Sequence, residues 1–320
     1  MIDNCQTGLA SYLVAQMVHK RKLLNGLLLV AAFGSASCSI KNVAMNQLGD
    51  ALSGGGTVFS SDEDPELVGD ALPFSLKLME SVLAETPRHE ALLGALASGF
   101  TQYAYGYVQL DADEIEDEDY DRALELRDRA KNLYLRAKGY GMRSLEVAHP
   151  GFEADLRADK FAALERLGKE DVETAYWTAL AWSGAIVLSL DDPQILGELA
   201  YAEAMMDRIM GLDPDWEYGT LHGFFVTYEM SRLGGEGDPV EKATRHFQRA
   251  KELSGGNMAS YFVAMAESVA VEKGDKELFV SLLNQALAID IDVRPDWRLS
   301  NLIYQRRAKW LLTRLDWYFF

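Results

Sequence analysis

Residues 71–110, ALPFSLKLMESVLAETPRHEALLGALASGFTQYAYGYVQL, decide the fold class. Leu76, Met79, Val82 and Leu83 recur at spacings of three and four, which is one apolar stripe of an α-helix. Pro87 disfavours helical geometry at Thr86 and ends that helix. The second helix runs on to Leu110, weakened but not stopped by Gly94, Gly99 and Gly106. Gly94, Ala97, Ser98, Ala104 and Gly106 would let neighbouring helices approach closely, and Phe100, Tyr103 and Tyr107 fall on one face. The stretch predicts a helical hairpin with a small-residue side and an aromatic side.

Outward from it, the chain reads as helix after helix. Asp64-Pro65, Asp192-Pro193 and Asp238-Pro239 each set an N-cap acid before a first-turn proline. Asp119, Asp171, Asp275 and Asp296 are further caps, and Gly141, Gly211, Gly234 and Gly255 are stops. These signals predict helices near 71–86, 88–110, 119–140, 172–190, 193–211, 215–233, 239–253, 257–272, 275–290 and 297–316, with short pieces between Gly151 and Gly168. No sustained alternation argues for a sheet, so the fold class is all-α. The helices also echo one another: Ile209 to Ala250 is 41 residues and Ala250 to Ala286 is 36. Such intervals fit a degenerate tetratricopeptide-like array of stacked antiparallel helix pairs, whose ideal period is ~34. A helix pair cannot bury its apolar face alone, so stacking makes the core. An irregular helical bundle is the alternative.

The formal net charge of -18 argues against nucleic acid or an anionic membrane as a partner of the general surface. Cys5 and Cys38, the two cysteines, support no disulfide framework and no cysteine zinc site. Residues 1–37 read as a secretory signal: His19-Lys20-Arg21-Lys22 is the basic region, Leu23 to Phe33 the apolar stretch and Gly34 to Ser37 the small-residue site. Met17 is an alternative start. Cys38 directly after small residues matches the lipobox pattern, with Ser35 where Leu is commonest. Lipidation at Cys38 is therefore expected, and residues 38–64, with Gly54-Gly55-Gly56, read as a tether and entry segment ahead of a helical domain over 65–320. Cutting before Cys38 removes Asp3, Lys20, Arg21 and Lys22, a net of +2, and leaves -18 - 2 = -20. Ser39 lacks the acid that favours inner-membrane retention, which leans toward the outer membrane.

Catalytic constellations do not emerge. His19, His89, His149, His222 and His246 are scattered, with no metal-binding spacing, and Gly234-Gly235-Glu236-Gly237 is a loop rather than a phosphate cradle. Asp111 to Asp121 holds eight acids in eleven residues, but Ile115 and Glu116 break a calcium-loop pattern, so a solvated acidic loop is expected. No cofactor and no enzyme activity are expected.

Ser98 to Tyr105 (SGFTQYAY), Tyr176 to Trp182 (YWTALAW), Ser254-Gly255-Gly256 before a helix, and Asn301 to Trp310 (NLIYQRRAKW) together resemble the T-component family of tripartite ATP-independent periplasmic (TRAP) transporters. The resemblance covers nearly everything after residue 70. It implies a tetratricopeptide-like, all-helical periplasmic lipoprotein that associates with the transporter's solute-binding subunit and carries a cavity for a hydrophobic ligand. A generic tetratricopeptide envelope adaptor is the second reading, and an envelope enzyme the third.

Aromatic stripes at helical spacing are more often core than ligand box, yet tyrosine hydroxyls want partners and suit a lined cavity. Phe100, Tyr103, Tyr107, Trp177 and Trp182 are the expected ligand-binding residues. In the C-terminal helix Arg298, Arg306, Arg307, Lys309 and Arg314 crowd beside Trp310 and Trp317. Sealing of the last pair is expected of the tryptophans, and partner or homo-oligomer contact is open to the arginines.

Overall fold

The computed structural model describes residues 43–232 and 234–319. The signal segment and Cys38 lie outside the described residues. The chain divides between Leu48 and Gly49 into two compact units, and the second carries the helical domain.

Among the described residues every regular element is helical. In order they are α1 (43–53), α2 (Gly56–Ser60), α3 (Pro65–Glu85), α4 (Glu90–Tyr103), α5 (Leu110–Ile115), α6 (Tyr120–Ala148), α7 (Phe152–Ala158), α8 (Lys160–Glu165) and α9 (Val172–Val187). There follow α10 (Pro193–Leu196), α11 (Leu199–Leu212), α12 (Trp216–Ser231), α13 (Pro239–Leu253), α14 (Ala259–Met265), α15 (Lys276–Leu287), α16 (Arg298–Leu312) and α17 (Leu315–Tyr318). Two π-helical segments interrupt them, Ala104–Gln109 between α4 and α5 and Ala266–Ala270 after α14. The all-α class is as the sequence predicts. The residues read as a tether are helical over α1 and α2, and α2 packs on α16.

Capping chemistry sets the starts. Asp64, Asp192 and Asp238 each accept first-turn backbone N–H groups ahead of Pro65, Pro193 and Pro239. Asp119 and Asp275 do the same for α6 and α15. The helix read from residue 71 begins at Pro65 and carries Pro73 inside it. Gly141, expected to end α6, lies within it, because a Cβ there would meet Thr178 Oγ1 of α9 at 2.0 Å. The glycine is a crossing point rather than a stop.

Sequence neighbours pair, as α3 with α4, α12 with α13 and α14 with α15, while α6 runs against α4 and α9. One core gathers α6 to α9, α11 and α12 around Phe152, Met205, Met206 and Ile209. A second gathers α12 to α16 around Phe247, Phe262 and Phe279. The last long helix then returns to the first pairs: α16 touches α3, and a Cβ on Gly106 would lie 3.2 Å from Ile303 of α16. The domain therefore closes on itself.

A closed helical domain with an inward-facing tyrosine set

Closure rests on charge as much as on apolar contact. The acidic stretch read as a solvated loop is the end of α5 and the turn that follows it, and it faces the C-terminal arginines. Arg306 donates to Asp111 and Glu114, each at 2.7 Å. Arg307 donates to Asp113 at 3.0 Å and, from its other side, to Glu267 at 2.7 Å. Arg314 pairs with Asp117. Arg127 of α6 takes Glu116 in a bidentate grip at 2.8 and 2.9 Å and reaches Asp113 at 3.3 Å. Arg298 donates to the Ser61 carbonyl at 2.8 Å and to Asp292 at 2.7 Å, so all four C-terminal arginines that the sequence left open for partner contact have partners within the molecule. Arg307 and Arg314 also lie over Trp310, at 4.5 and 5.0 Å from its centroid, and Trp310 packs on the second core.

Behind this clasp the two π-helical segments present Tyr105 and Glu267 to Tyr304 and Arg307 of α16. The Tyr105 and Tyr304 rings are 5.7 Å apart. Burial raises the pKa of both hydroxyls, and it raises that of Glu267 against the pull of Arg307. Yet Tyr105 and Tyr304 keep accessible surface, and the Glu267 side chain keeps 28%. Tyr304 is within electrostatic reach of Tyr134 of α6, Tyr176 of α9 and Tyr261 of α14 as well. Tyrosines from four other elements therefore gather around Tyr304.

The five aromatics picked from sequence make separate ring contacts. Phe100 stacks on Tyr140 of α6 at 5.9 Å, with Arg136 over its other side at 4.9 Å. Tyr103 stacks on Tyr107 at 5.7 Å and accepts from Arg129 at 3.1 Å. The Tyr107 hydroxyl is buried without a partner among the described residues, and burial, opposed by Arg306, pushes its pKa up to about 12. Outside these rings, a groove of 480 Å³ along α6 is walled by Glu125, Asp128, Arg129, Asn132, Leu133 and Arg136, a charged rather than apolar lining. Trp182 stacks on Tyr201 at 5.8 Å, donates to Glu198 at 2.9 Å and has Lys138 at 4.1 Å from its ring. Trp177 meets Tyr176 edge-on at 5.0 Å. It alone of the five adjoins a member of the inward tyrosine set directly. Sequence spacing found the rings but not the set, because Tyr134, Tyr261 and Tyr304 come from distant helices.

Two further features went unseen. Glu217, Tyr218 and Gly219 lie in the left-handed region (φ 45°, 55° and 92°), inside what the spacing predicts as continuous helix. The two non-glycine residues carry about 1–2 kcal/mol of strain each. His222 and His246 meet Nδ1 to Nδ1 at 2.8 Å between α12 and α13. Among the described residues no helix is long and apolar enough to cross a membrane, and no cluster of His, Cys, Asp and Glu is built to hold a metal.

The fold defines a class of all-helical domain whose last long helix is tied back to its first pairs by charge. Residues 61–319 match the family model of the TRAP transporter T-component, and the chain belongs to that family. A protein of Treponema pallidum (strain Nichols), named only as uncharacterized, is 26% identical over 302 residues, which span 89% of this chain and 94% of that protein. A T-component is a transporter-associated subunit and not an enzyme family.

Proposed function

We propose that the protein is a lipid-anchored extracytoplasmic subunit of a TRAP-type uptake system. In this reading acyl chains on Cys38 hold it at a membrane, its helical domain docks the periplasmic solute-binding subunit, and its interior takes a ligand with a hydrophobic part. The family match over residues 61–319 carries the reading. The buried tyrosines gathered around Tyr304 support the ligand, since binding sites are mostly apolar with a few placed polar groups. Because Arg306, Arg307 and Arg314 are committed to the acids of α5 and the turn after it, the outer surface that remains is dominated by acids, which favours a basic face on the partner. Sedimentation of the chain without residues 1–37 with its cognate solute-binding subunit tests this. A complex that weakens as salt rises is expected. No complex at low salt would sink the transporter reading.

A further inference from the structure

One face of α3 is buried and the other is bare. Val68, Leu76, Val82 and Leu83 turn inward, and the packing beneath them is close. A Cβ on Gly69 would lie 2.7 Å from the Tyr107 ring, and a Cβ on Gly99 of α4 would lie 2.7 Å from Leu76. On the outer face Leu67, Phe74 and Leu78 are 59%, 73% and 39% exposed, with Ala71 among them. Steps of four, three and four residues hold these side chains to one stripe of the helix. Among the described residues no other helix carries three large apolar side chains so exposed. Glu66, Asp70 and Lys77, all exposed, border the stripe on one side.

The path of the chain ahead of α3 says what lies over this stripe. Gly49, where the helical unit begins, sits against the corner that follows α3. A Cβ on Gly49 would lie 2.6 Å from His89 Nε2, and Asp50 Oδ1 is 3.3 Å from the same nitrogen. Ahead of the other end of α3, the Ser61 carbonyl accepts from Arg298 at 2.8 Å and α2 packs on α16. The segment before α3 is thus fastened to the domain near both ends of that helix. Cys38 lies 11 residues before Gly49, and residues 43–53 are helical. Five extended and six helical residues span at most about 27 Å, less than the ~32 Å length of α3 itself. A surface that holds Cys38 therefore lies within one helix length of the α3–α4 corner.

We propose that the outer stripe of α3, formed by Leu67, Ala71, Phe74 and Leu78, rests on the lipid surface in which Cys38 is anchored. This rests on the reading that Cys38 is acylated, and it assigns the side of the domain that faces the membrane. An apolar helical stripe enters the boundary between headgroups and acyl chains, with a strength that scales with the apolar area it buries. The acyl chains supply the attachment, and the stripe supplies the orientation. Carboxylates border the stripe and the chain carries a formal net charge of -18. An uncharged headgroup layer therefore fits it, and an anionic one repels it.

The test uses the chain without residues 1–37, whose remaining cysteine is Cys38. Cys38 is coupled to a single hexadecyl chain, which alone gives marginal, reversible membrane binding and so leaves the contribution of the stripe visible. Partition onto phosphatidylcholine vesicles is read by flotation. Leu67→Ser, Phe74→Ser and Leu78→Ser combined should weaken it about tenfold, and Phe74→Ser alone about threefold. All three positions are exposed, and circular dichroism and melting check that the variants fold. Phe161→Ser, at an exposed position of α8, should leave partition unchanged, and phosphatidylglycerol in the vesicles should weaken it. Equal partition of parent and folded variants, or an equal loss with Phe161→Ser, would overturn the proposal. Binding that strengthens with phosphatidylglycerol would overturn the choice of an uncharged surface. Sedimentation without lipid decides against a second copy: self-association of the parent that the triple variant lacks would make another chain the occupant and overturn the lipid. Acylation of Cys38 in cells is measured apart. Its absence would fail the anchor reading, while the vesicle comparison, made on a chemically coupled chain, still decides the stripe.

Discussion

Arg307 Nη1 and Asp113 Oδ2, 194 residues apart in sequence, meet at 3.0 Å, and the same guanidinium holds Glu267 at 2.7 Å. Only 11% of the Arg307 side chain is accessible. Removing one partner of a buried ion pair strands the others, at a cost of about 3–5 kcal/mol. Arg307→Met should therefore lower stability by about 3 kcal/mol, and Tm by about 10 °C for a domain of this size. Scanning calorimetry checks it. Arg307→Met together with Glu267→Met should recover part of the loss, since one stranded carboxyl is then gone.

Arg306 makes the opposite case. It and its partner Asp111 are both nearly half accessible, so solvent screens the pair. Arg306→Glu should cost about 1 kcal/mol. If α5 is the only surface that Arg306 serves, affinity for the solute-binding subunit stays unchanged. Weakened binding by a folded variant would return this arginine to the partner interface.

The His222–His246 contact makes stability depend on pH. Burial lowers both pKa values, and with His222 beside it that of His246 falls to about 4. Asp215 and Glu229 oppose the effect, while Arg249, Arg245 and Lys242 reinforce it. A neutral form favoured by folding gives stability that is fully present above the unfolded value near 6.5. That stability is lost as pH drops from about 6.5 toward 4. Melting curves across this window should show a steeper fall for the parent than for His246→Gln, which carries no titrating ring.

Gly219 is held at φ 92°, and a Cβ there would come within 2.9 Å of Ala250 Cα. Backbone strain and a backbone clash act together, so Gly219→Ala should destabilise by about 2 kcal/mol or more. Gly139, where a Cβ meets nothing within 4 Å, is the control. Gly139→Ala inside α6 should be neutral or stabilising by up to about 1 kcal/mol. Chemical denaturation distinguishes the two.

The anchor proposed at Cys38 is tested by Cys38→Ala. Acyl burial contributes about 0.8 kcal/mol per CH₂, and two or more chains anchor a domain stably. The variant should leave washed membranes. Retention equal to that of the parent would end the lipoprotein reading.

What sequence could say follows from how local each cause is. Aspartate-proline pairs at 64–65, 192–193 and 238–239 start helices because cap and helix lie within one turn. Asp296 starts none, since Trp297 is the residue that precedes α16. The stop expected at Gly141 fails because its reason is Thr178, on another helix. The acidic stretch at 111–121 has no local signature of pairing, as its arginines lie about two hundred positions onward. Composition of the interior was visible only as scattered tyrosines. Their convergence depends on which helix passes which, and the left-handed turn at Glu217 depends on Gly219 fitting against Ala250.

Closure by α16 also sets the order of events in time. A stack of helix pairs with free ends could form pair by pair as the chain emerges, each step needing only its neighbour. Here Asp111, Asp113, Glu114 and Asp117 wait for partners between residues 306 and 314. Until those arrive, four carboxylates crowd α5 and the turn after it, with Arg127 to relieve them among the described residues. Contacts across so long a loop slow folding. Maturation of the domain is therefore expected to be governed by the arrival of its last helix, and a chain stalled or clipped before Arg306 should stay open and vulnerable to proteases rather than remain as a shorter, stable stack.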